Sequence, residues 1–546
     1  HLWTAPPPVR LELATGIALP PRGSRVRLRG ALGRSPGFAN AHAVAPGGYR
    51  LRVKSARLLS VEEAPPLSAR LLTGLQESVA RPLAECARRH PGVGYARGLL
   101  LGELEDVPAG ERRAFRRSGL AHLLAVSGMN VALVAGVAAA LASFCRRSVR
   151  LALVAAAVVL HLAVVGPVPS LLRATLMTAS ALLGLAFERR ALALQSLAIA
   201  ATVMVACDPA LVRDLGFCLS CSATFGLVVV APDLLRGWPP GRHPLSQALA
   251  VSWAAQAATL PWSVAAFSYL SPAAPVLNLL AVPLAGLLLV AALGWVALAL
   301  LLPGLRDLAA LPLDLLAWPF RWLPSLHTGP WLCLPLPPSW WLGLALAAVA
   351  LAAGSGPRAS RAACLLALLL TAHPSGPPVS RPEVEWVVAD VGQGDGALLR
   401  RGSAAMLIDG GGSSRPGSQG GRDFATQVWL PLLAARGISR LETAVVTHGD
   451  SDHCSGLLDV ASYVPIGEVW GAPELRSSRC VQELLELSRA RFRALAAGDV
   501  ARAVGLAFEV LGPPREGGGK DNDRSLVLAV EAEGRRLLLT GDIERR

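Results

Sequence analysis

Hydrophobic and polar positions divide this chain into stretches of different rhythm. Residues 1–65 alternate over short runs, Ser24-Arg25-Val26-Arg27-Leu28-Arg29 and Tyr49-Arg50-Leu51-Arg52-Val53, between turns rich in Gly and Pro. A period of two predicts strands of a small β domain. Residues 66–118 read as amphipathic helix, with Arg81, Arg88, Arg89, Arg112, Arg113, Arg116 and Arg117 on the polar faces. From 119 to 373 the rhythm changes to near-continuous Leu, Ala and Val runs of about 20 residues, the length that crosses a bilayer. A soluble core rarely produces so many such runs in succession, so this stretch is expected to be a polytopic membrane region. Its spans begin near residues 123, 149, 170, 191, 215, 246, 276, 308, 339 and 360. The linker His373-Pro374-Ser375-Gly376-Pro377-Pro378 ends it, and residues 383–546 have the composition of a soluble α/β domain.

Composition agrees with a membrane protein: 53% of residues are hydrophobic, 16% are charged and the mean hydropathy is +0.46. The formal charge of +14 is carried by Arg, since Lys54 and Lys520 are the only lysines. Arg-rich codon usage and attraction to phosphates or anionic lipid headgroups explain that excess equally well. Its placement says more. Arg146-Arg147-Ser148-Val149-Arg150, Glu188-Arg189-Arg190, Arg236 with Arg242, Arg306, and Arg358 with Arg361 follow alternate spans. The positive-inside rule makes those loops cytoplasmic. About ten crossings then put both soluble regions on the outer side. The nine cysteines are scattered, six of them in apolar stretches, and predict no disulfide framework; Cys218 and Cys221 are expected to be small apolar filler. The chain opens at His1 without Met and is expected to be a fragment of a longer protein.

Candidate chemistry is concentrated in the last domain. The apolar strand Ala444-Val445-Val446 runs into Thr447-His448-Gly449-Asp450-Ser451-Asp452-His453, two imidazoles and two carboxylates in six residues. Such a loop can turn N and O donors onto one cation, a mixture suited to Zn²⁺ or Mn²⁺. Asp390-Val391-Gly392-Gln393-Gly394-Asp395 joins two strand-like runs, and the second ends in Met406-Leu407-Ile408-Asp409-Gly410-Gly411-Gly412. Leu537-Leu538-Leu539-Thr540-Gly541-Asp542 repeats the order of strand, Gly and Asp. Acidic residues at three strand ends are placed to support or bridge a metal.

The membrane region has its own polar residues. Gly119-Leu120-Ala121-His122-Leu123-Leu124-Ala125-Val126-Ser127-Gly128-Met129-Asn130-Val131 carries His, Ser and Asn at the entry to an apolar helix. These groups either line a cavity or bond between helices. Arg173, three residues beyond Ser170, is expected to face a pore, because Pro167 and Pro169 suggest a broken helix.

Together these strings resemble the ComEC-type family, DNA-internalising competence proteins in which a membrane competence domain is fused to a metallo-β-lactamase-like domain. The sequence around His448 is similar to the HxHxDH motif of metallo-β-lactamase-like hydrolases in its HxDxDH variant. Asp390-Val391-Gly392-Gln393-Gly394-Asp395 and Asn522-Asp523-Arg524-Ser525-Leu526-Val527-Leu528 match as well. In the membrane region the matches are 119–131, Gly166-Pro167-Val168-Pro169-Ser170-Leu171-Leu172-Arg173-Ala174, Asp208-Pro209, Asp214-Leu215-Gly216-Phe217-Cys218-Leu219-Ser220, and Gln256 with Pro261, Asn278 and Pro283. Departures are Ser455 in place of a Gly, Asp523 in place of an Asn, Asn130 in place of a frequent His and Cys218 in place of a frequent Gln.

The resemblance implies a partial OB-like β domain at 1–65, a connector at 66–118, a competence domain at 119–373 and an αββα hydrolase domain at 383–546. It implies that His448, Asp450, Asp452, His453 and Asp542 hold one or two divalent ions, Zn²⁺ or Mn²⁺, with Asp452 and His453 also catalytic. Asp390, Gln393, Asp395, Asp409, Asn522 and Ser525 would support them. The family's downstream HHGS stretch is not in this chain, so a two-metal site is expected to be incomplete and its activity weak. His122, Ser127, Asn130, Ser170, Arg173, Gln256 and Asn278 are the channel and DNA candidates.

The implied function is uptake of single-stranded DNA through the bacterial inner membrane, with metal-assisted hydrolysis of the other strand outside. Double-stranded DNA at the outer face, membrane lipids, a DNA receptor, a cytoplasmic ATP-driven helicase or translocase and further copies of the chain would be its partners. A membrane-anchored hydrolase of another phosphoester, or a transporter with a non-catalytic hydrolase fold, would share many of these features.

Overall fold

The computed structural model describes residues 9–13, 25–28, 31–35, 48–53, 59–63, 66–189, 192–236, 244–326, 332–333, 384–391, 394–412, 425–514 and 524–543. Gln393, Asn522 and the expected spans near 339 and 360 lie outside them.

The alternating N-terminal runs form strands. β1 (Val9–Leu13) pairs in parallel with β4 (Gly48–Val53), which also pairs antiparallel with β3 (Ala31–Ser35); β2 (Arg25–Leu28) pairs antiparallel with β5 (Leu59–Glu63). The amphipathic stretch becomes three helices, α1 (Leu67–Ala87), α2 (Pro91–Leu101) and α3 (Ala109–Arg117). His90 precedes Pro91 at the start of α2, where the missing N–H of proline leaves no bond unmade.

The apolar stretch forms α4 (Gly128–Leu141), α5 (Arg147–Val165), α6 (Pro169–Ala186), α7 (Ala193–Cys207) and α8 (Leu215–Phe225). A π turn at Gly226–Val230 carries α8 into α9 (Ala231–Arg236). Then follow α10 (Pro244–Phe267), a short β6 (Tyr269–Leu270), α11 (Ala274–Leu301) and α12 (Arg306–Trp322), with β7 (Leu332–Cys333) pairing β6. Among the described residues three helices, α5, α6 and α11, are both long and apolar enough to cross a membrane; α4, α7 and the run Leu215–Val230 are apolar but shorter. Leu153, Val159, Leu160, Leu183 and Leu287 stand exposed along the three long helices, a surface suited to lipid and not to water.

The sequence expectation of a helix entering near residue 123 needs correction. Residues Ala121–Leu123 form a single 3₁₀ turn, and α4 starts at Gly128. The carboxylates of Asp214 and Asp208 act locally. Asp214 accepts the N–H of Phe217 at 2.7 Å and Asp208 that of Ala210 at 3.0 Å, each capping the helix that follows.

The last domain is a two-sheet sandwich. A six-stranded mixed sheet has the order β13-β12-β11-β10-β9-β8, and a four-stranded antiparallel sheet the order β14-β15-β16-β17. The first comprises β8 (Val384–Val388), β9 (Ala397–Arg401), β10 (Ala404–Ile408), β11 (Leu441–Val445), β12 (Ile466–Gly471) and β13 (Arg491–Ala494). The second comprises β14 (Val500–Ala503), β15 (Leu506–Gly512), β16 (Val527–Ala532) and β17 (Arg535–Leu539). One core contains Met406, Val445 and Trp470 together with Phe508, Leu528 and Val530, side chains from both sheets. A second holds Leu407, Ala444 and Val469 with Trp429, Leu457 and Leu484. β10 and β11 run parallel with Ile408 opposite Val445, so the chain leaves both strands at the same edge. Ligand-binding residues in α/β sheets gather at such carboxyl ends.

Candidate metal centre

That shared edge brings the motif residues together. Asp409 follows β10, Thr447 and His448 follow β11, and Asp542 follows β17. His453 sits in the first turn of the helix Ser451–Ala461. Close backbone packing holds this helix in place: a Cβ on Gly410 would overlap Leu457 N, and one on Gly456 would overlap Gly410 O. Gly394 adopts φ 73°, and a side chain there would strike the Asp452 carbonyl. The Gly-rich turns are needed because backbone approaches backbone at this point.

Asp409 organises the centre. It is fully buried and stands at φ 50°, a left-handed conformation that Asp adopts more readily than most residues. Its Oδ1 accepts the Thr447 N–H at 2.9 Å and its Oδ2 accepts the Thr447 hydroxyl at 2.6 Å. The same Oδ2 lies 3.0 Å from His453 Nδ1. An ionised carboxylate only accepts, so neutral His453 carries its proton on Nδ1. The Thr447 hydroxyl donates its proton to Asp409, and at 3.0 Å it accepts from His448 Nδ1. One carboxylate therefore fixes both tautomers and leaves both Nε2 lone pairs free.

Those lone pairs converge. One ligand atom from each of His448, His453 and Asp542 lies within 4.8 Å of the others, His453 Nε2 is 3.5 Å from Asp542 Oδ2, and the imidazole centroids are 3.9 Å apart. Both Nε2 atoms are buried without a hydrogen-bond partner. Buried polar atoms are normally satisfied, so two orphans aimed at one point beside a carboxylate fit a divalent cation. Two His and one Asp leave a coordination position open.

The remaining candidates surround this cluster. Asp450 is exposed at the rim, its Oδ2 3.7 Å from His448 Nε2. Asp452 stands outside the three-residue cluster, in the first turn of the site helix. Asp395 lies near enough for its carboxyl to be held above the usual range, by burial first and then by Asp409 and Asp542 against the opposing pull of the imidazoles. Its carbonyl accepts the Gly411 N–H at 2.8 Å. Ser525 is buried with its hydroxyl unpartnered and packs beside Gly541, next to Asp542. Asp390 ends the β8 side of the first turn and is not in the cluster.

Protonation competes with a cation here. Burial disfavours a charged His453, but the hydrogen bond and charge of Asp409, with Asp542 and Asp452, outweigh it, and the imidazole pKa lies above the usual 6.5. The proton concerned is on Nε2. We predict that Zn²⁺ affinity, measured by competition with a chromophoric chelator, falls as pH drops through that raised pKa, by about tenfold per unit below it. For the metal-free fold the sign is opposite: stabilisation by charged His453 is complete below about pH 6.5 and is lost as pH rises through the folded pKa. An affinity flat between about pH 8 and 5.5 would exclude imidazole ligands.

A feature with no signature in the sequence adjoins the site. Cys454, next to His453, forms a disulfide with Cys480 in the helix Arg479–Ser488. The expectation that the cysteines carry no bridge is corrected for this pair, which the fold brings together across 26 residues. Cys86, Cys145, Cys207, Cys218 and Cys221 are free, in line with the filler reading of Cys218 and Cys221.

In the membrane region the polar candidates bond mainly between elements. Asn130 is buried, donates to Leu99 O at 2.6 Å and accepts from Ser127 Oγ at 3.2 Å. Ser170 donates to Val126 O at 2.6 Å, Gln256 to Ser271 O at 3.2 Å and Asn278 to Ser252 Oγ at 2.8 Å. His122 is exposed, with Nδ1 3.1 Å from Gly119 O. Arg173, expected to face a pore, is 6% exposed. It donates from Nε to Ser220 Oγ at 2.9 Å and from its guanidinium to Thr224 Oγ1, enclosed between α6 and α8. A guanidinium in apolar surroundings needs acceptors, and the hydroxyls of α8 provide them.

Comparison with known proteins agrees with this division. Residues 99–370 match the family model described as competence protein, and residues 389–546 that of the metallo-beta-lactamase superfamily. ComE operon protein 3 of Bacillus subtilis (strain 168) is 27% identical over 482 residues, 83% of this chain and 60% of that protein. Competence protein ComA of Neisseria gonorrhoeae is 29% identical over 478 residues, 83% of this chain and 63% of its own length. The chain thus spans about three fifths of these relatives. Zn²⁺-bound PqqB from Methylobacterium extorquens is a partial structural likeness, 16% identical over 26% of this chain and 47% of that one, with a TM-score of 0.17. With a competence region and a metallo-beta-lactamase domain in one chain, matched together by relatives across most of its length, the chain belongs to the ComEC family of competence proteins.

Proposed function

We propose that this protein admits single-stranded DNA through the bacterial inner membrane and hydrolyses the non-transported strand at the centre formed by His448, His453 and Asp542. The convergence of two orphaned, tautomer-fixed imidazoles on one carboxylate carries the hydrolase half of this reading. A bound divalent cation would supply a nucleophilic water near neutral pH and neutralise charge on the phosphoryl oxygens. The chain's own residues do the rest. Asp409 and Thr447 hold the imidazoles in register, and Asp452, in the first turn of the site helix, would serve as the proton-handling group.

The Cys454–Cys480 disulfide supports an external position for this domain, because such bonds persist in oxidising compartments and are rare in the cytosol. DNA contact at the outer face, the OB-like assignment of residues 1–65, a receptor, an ATP-driven cytoplasmic motor and self-association belong to the same proposal. Arg173 would meet a phosphate only when α6 and α8 part. In cells, His448→Ala with His453→Ala should abolish degradation of the non-transported strand of end-labelled DNA, and deletion of the whole protein should also abolish entry of label into the cytoplasm. Normal strand degradation in the double variant would remove the hydrolase assignment; normal entry in the deletion strain would remove the channel.

A further inference from the structure

A second group of metal-ligating side chains lies outside the hydrolase centre. Cys86, in the last turn of α1, His90 in the turn before α2, and Asp307 in the first turn of α12 present one ligand atom each, all within 4.8 Å of one another. Cys86 Sγ is 3.7 Å from Asp307 Oδ1, and His90 Nε2 is 3.5 Å from the same oxygen. Four-coordinate Zn²⁺, with bonds of about 2.3 Å to sulfur and about 2.0 Å to nitrogen or oxygen, separates its ligand atoms by roughly 3.3–3.6 Å. The two spacings to Asp307 Oδ1 need only small adjustments.

The imidazole is also prepared. His90 Nδ1 lies 2.7 Å from Asp314 Oδ2, and the other oxygen of Asp314 accepts the Gly92 N–H at 2.7 Å. Asp314 thus holds the proton on Nδ1 and turns the Nε2 lone pair toward Cys86 and Asp307. A carboxylate behind a ligating imidazole is the usual support of a zinc histidine. One charge competes: Arg89 pairs with Asp307 at 2.7 Å. Both of those side chains are more than half exposed, so the pair is weak and can yield.

We infer that Cys86, His90 and Asp307 form a binding site for a divalent cation of the Zn²⁺ class, separate from the hydrolase centre. Thiolate, imidazole and carboxylate together select Zn²⁺ or Co²⁺ over Mg²⁺ or Ca²⁺. The ion joins segments 221 residues apart in sequence, tying the connector to the start of α12. It leaves one coordination position for water.

Co²⁺ is the probe that tests this, using the full chain in lipid nanodiscs with the Cys454–Cys480 disulfide intact. The hydrolase centre contains no thiolate, so a sulfur-to-cobalt charge-transfer band reports the new site alone. The band should appear with one equivalent of Co²⁺ and survive His448→Ala with His453→Ala. It should vanish in Cys86→Ser. Asp314→Asn, which can still accept the Gly92 N–H and so keeps the turn, should weaken Co²⁺ binding about tenfold, and Arg89→Gln should strengthen it. Absence of the band in the intact chain, its persistence in Cys86→Ser, or unchanged affinity in both Asp314→Asn and Arg89→Gln would overturn the site.

Discussion

Asp409→Ala should destabilise the site edge of the metallo-beta-lactamase domain by about 3–5 kcal/mol, the range for removing one partner from a buried charged network. The side chain is fully buried and accepts from Thr447 N–H, Thr447 Oγ1 and His453 Nδ1. Without it, three donors are left unmet and the reason for either imidazole to keep its tautomer disappears. Hydrogen exchange followed by mass spectrometry should show lost protection over 404–412 and 441–461, with α5 and α11 unchanged. Asp409→Asn separates folding from binding. An amide oxygen still accepts from Thr447, but its NH₂ faces His453 Nδ1 and turns the proton to Nε2. Protection should then be largely kept while Zn²⁺ affinity falls about 10–100-fold. Equal affinity in the Asn variant and the parent chain would show that Asp409 does not position the ligands.

The second large effect is expected at the disulfide. Closing a loop with a sequence separation of 26 from Cys454 to Cys480 restricts the unfolded chain by about 3–4 kcal/mol. Cys454→Ser with Cys480→Ser, or reduction of the parent chain, should lower protection in the helices Ser451–Ala461 and Arg479–Ser488 together. Because His453 precedes Cys454, Zn²⁺ affinity should fall in the same samples. The bond also reports the compartment: in intact cells, an impermeant alkylating reagent should label Cys480 only after an impermeant reductant is added. Labelling without reductant would contradict an oxidised, external domain.

The sequence is most informative where periodicity and chemistry coincide. Alternation locates β2 and β4, and long apolar runs locate α5, α6 and α11, because each pattern follows from which face must leave water. The site is legible as strand ends carrying His and Asp: His448, His453 and Asp542 meet as expected from Gly-rich turns that let backbone approach backbone. Thr447 stands out in the sequence only as part of a loop, although it links Asp409 to His448. A threonine beside a histidine has no distinguishing pattern in one dimension. The same holds for Cys454 and Cys480, whose pairing depends on how two helices pack. Arg173 reads as pore-facing from its cost in hydrocarbon. The hydroxyls of Ser220 and Thr224 that meet it lie on another helix, 47 and 51 residues away.

Arg113 of α3 reaches both helices that the disulfide joins, lying 3.8 Å from Asp459 and pairing with Glu483. Tyr269, between α10 and α11, donates to Arg116 O at 3.0 Å and makes a tilted ring contact with Tyr463, centroids 5.0 Å apart. The helical region and the sandwich are therefore held in register by side chains, and the helix that carries His453 belongs to the same clamped unit. Tilting of α3 or of the α10–α11 corner would press on the helix Ser451–Ala461 at Asp459 and on Tyr463 just beyond it. Strain in the helical region would thereby be passed to the helix that carries His453.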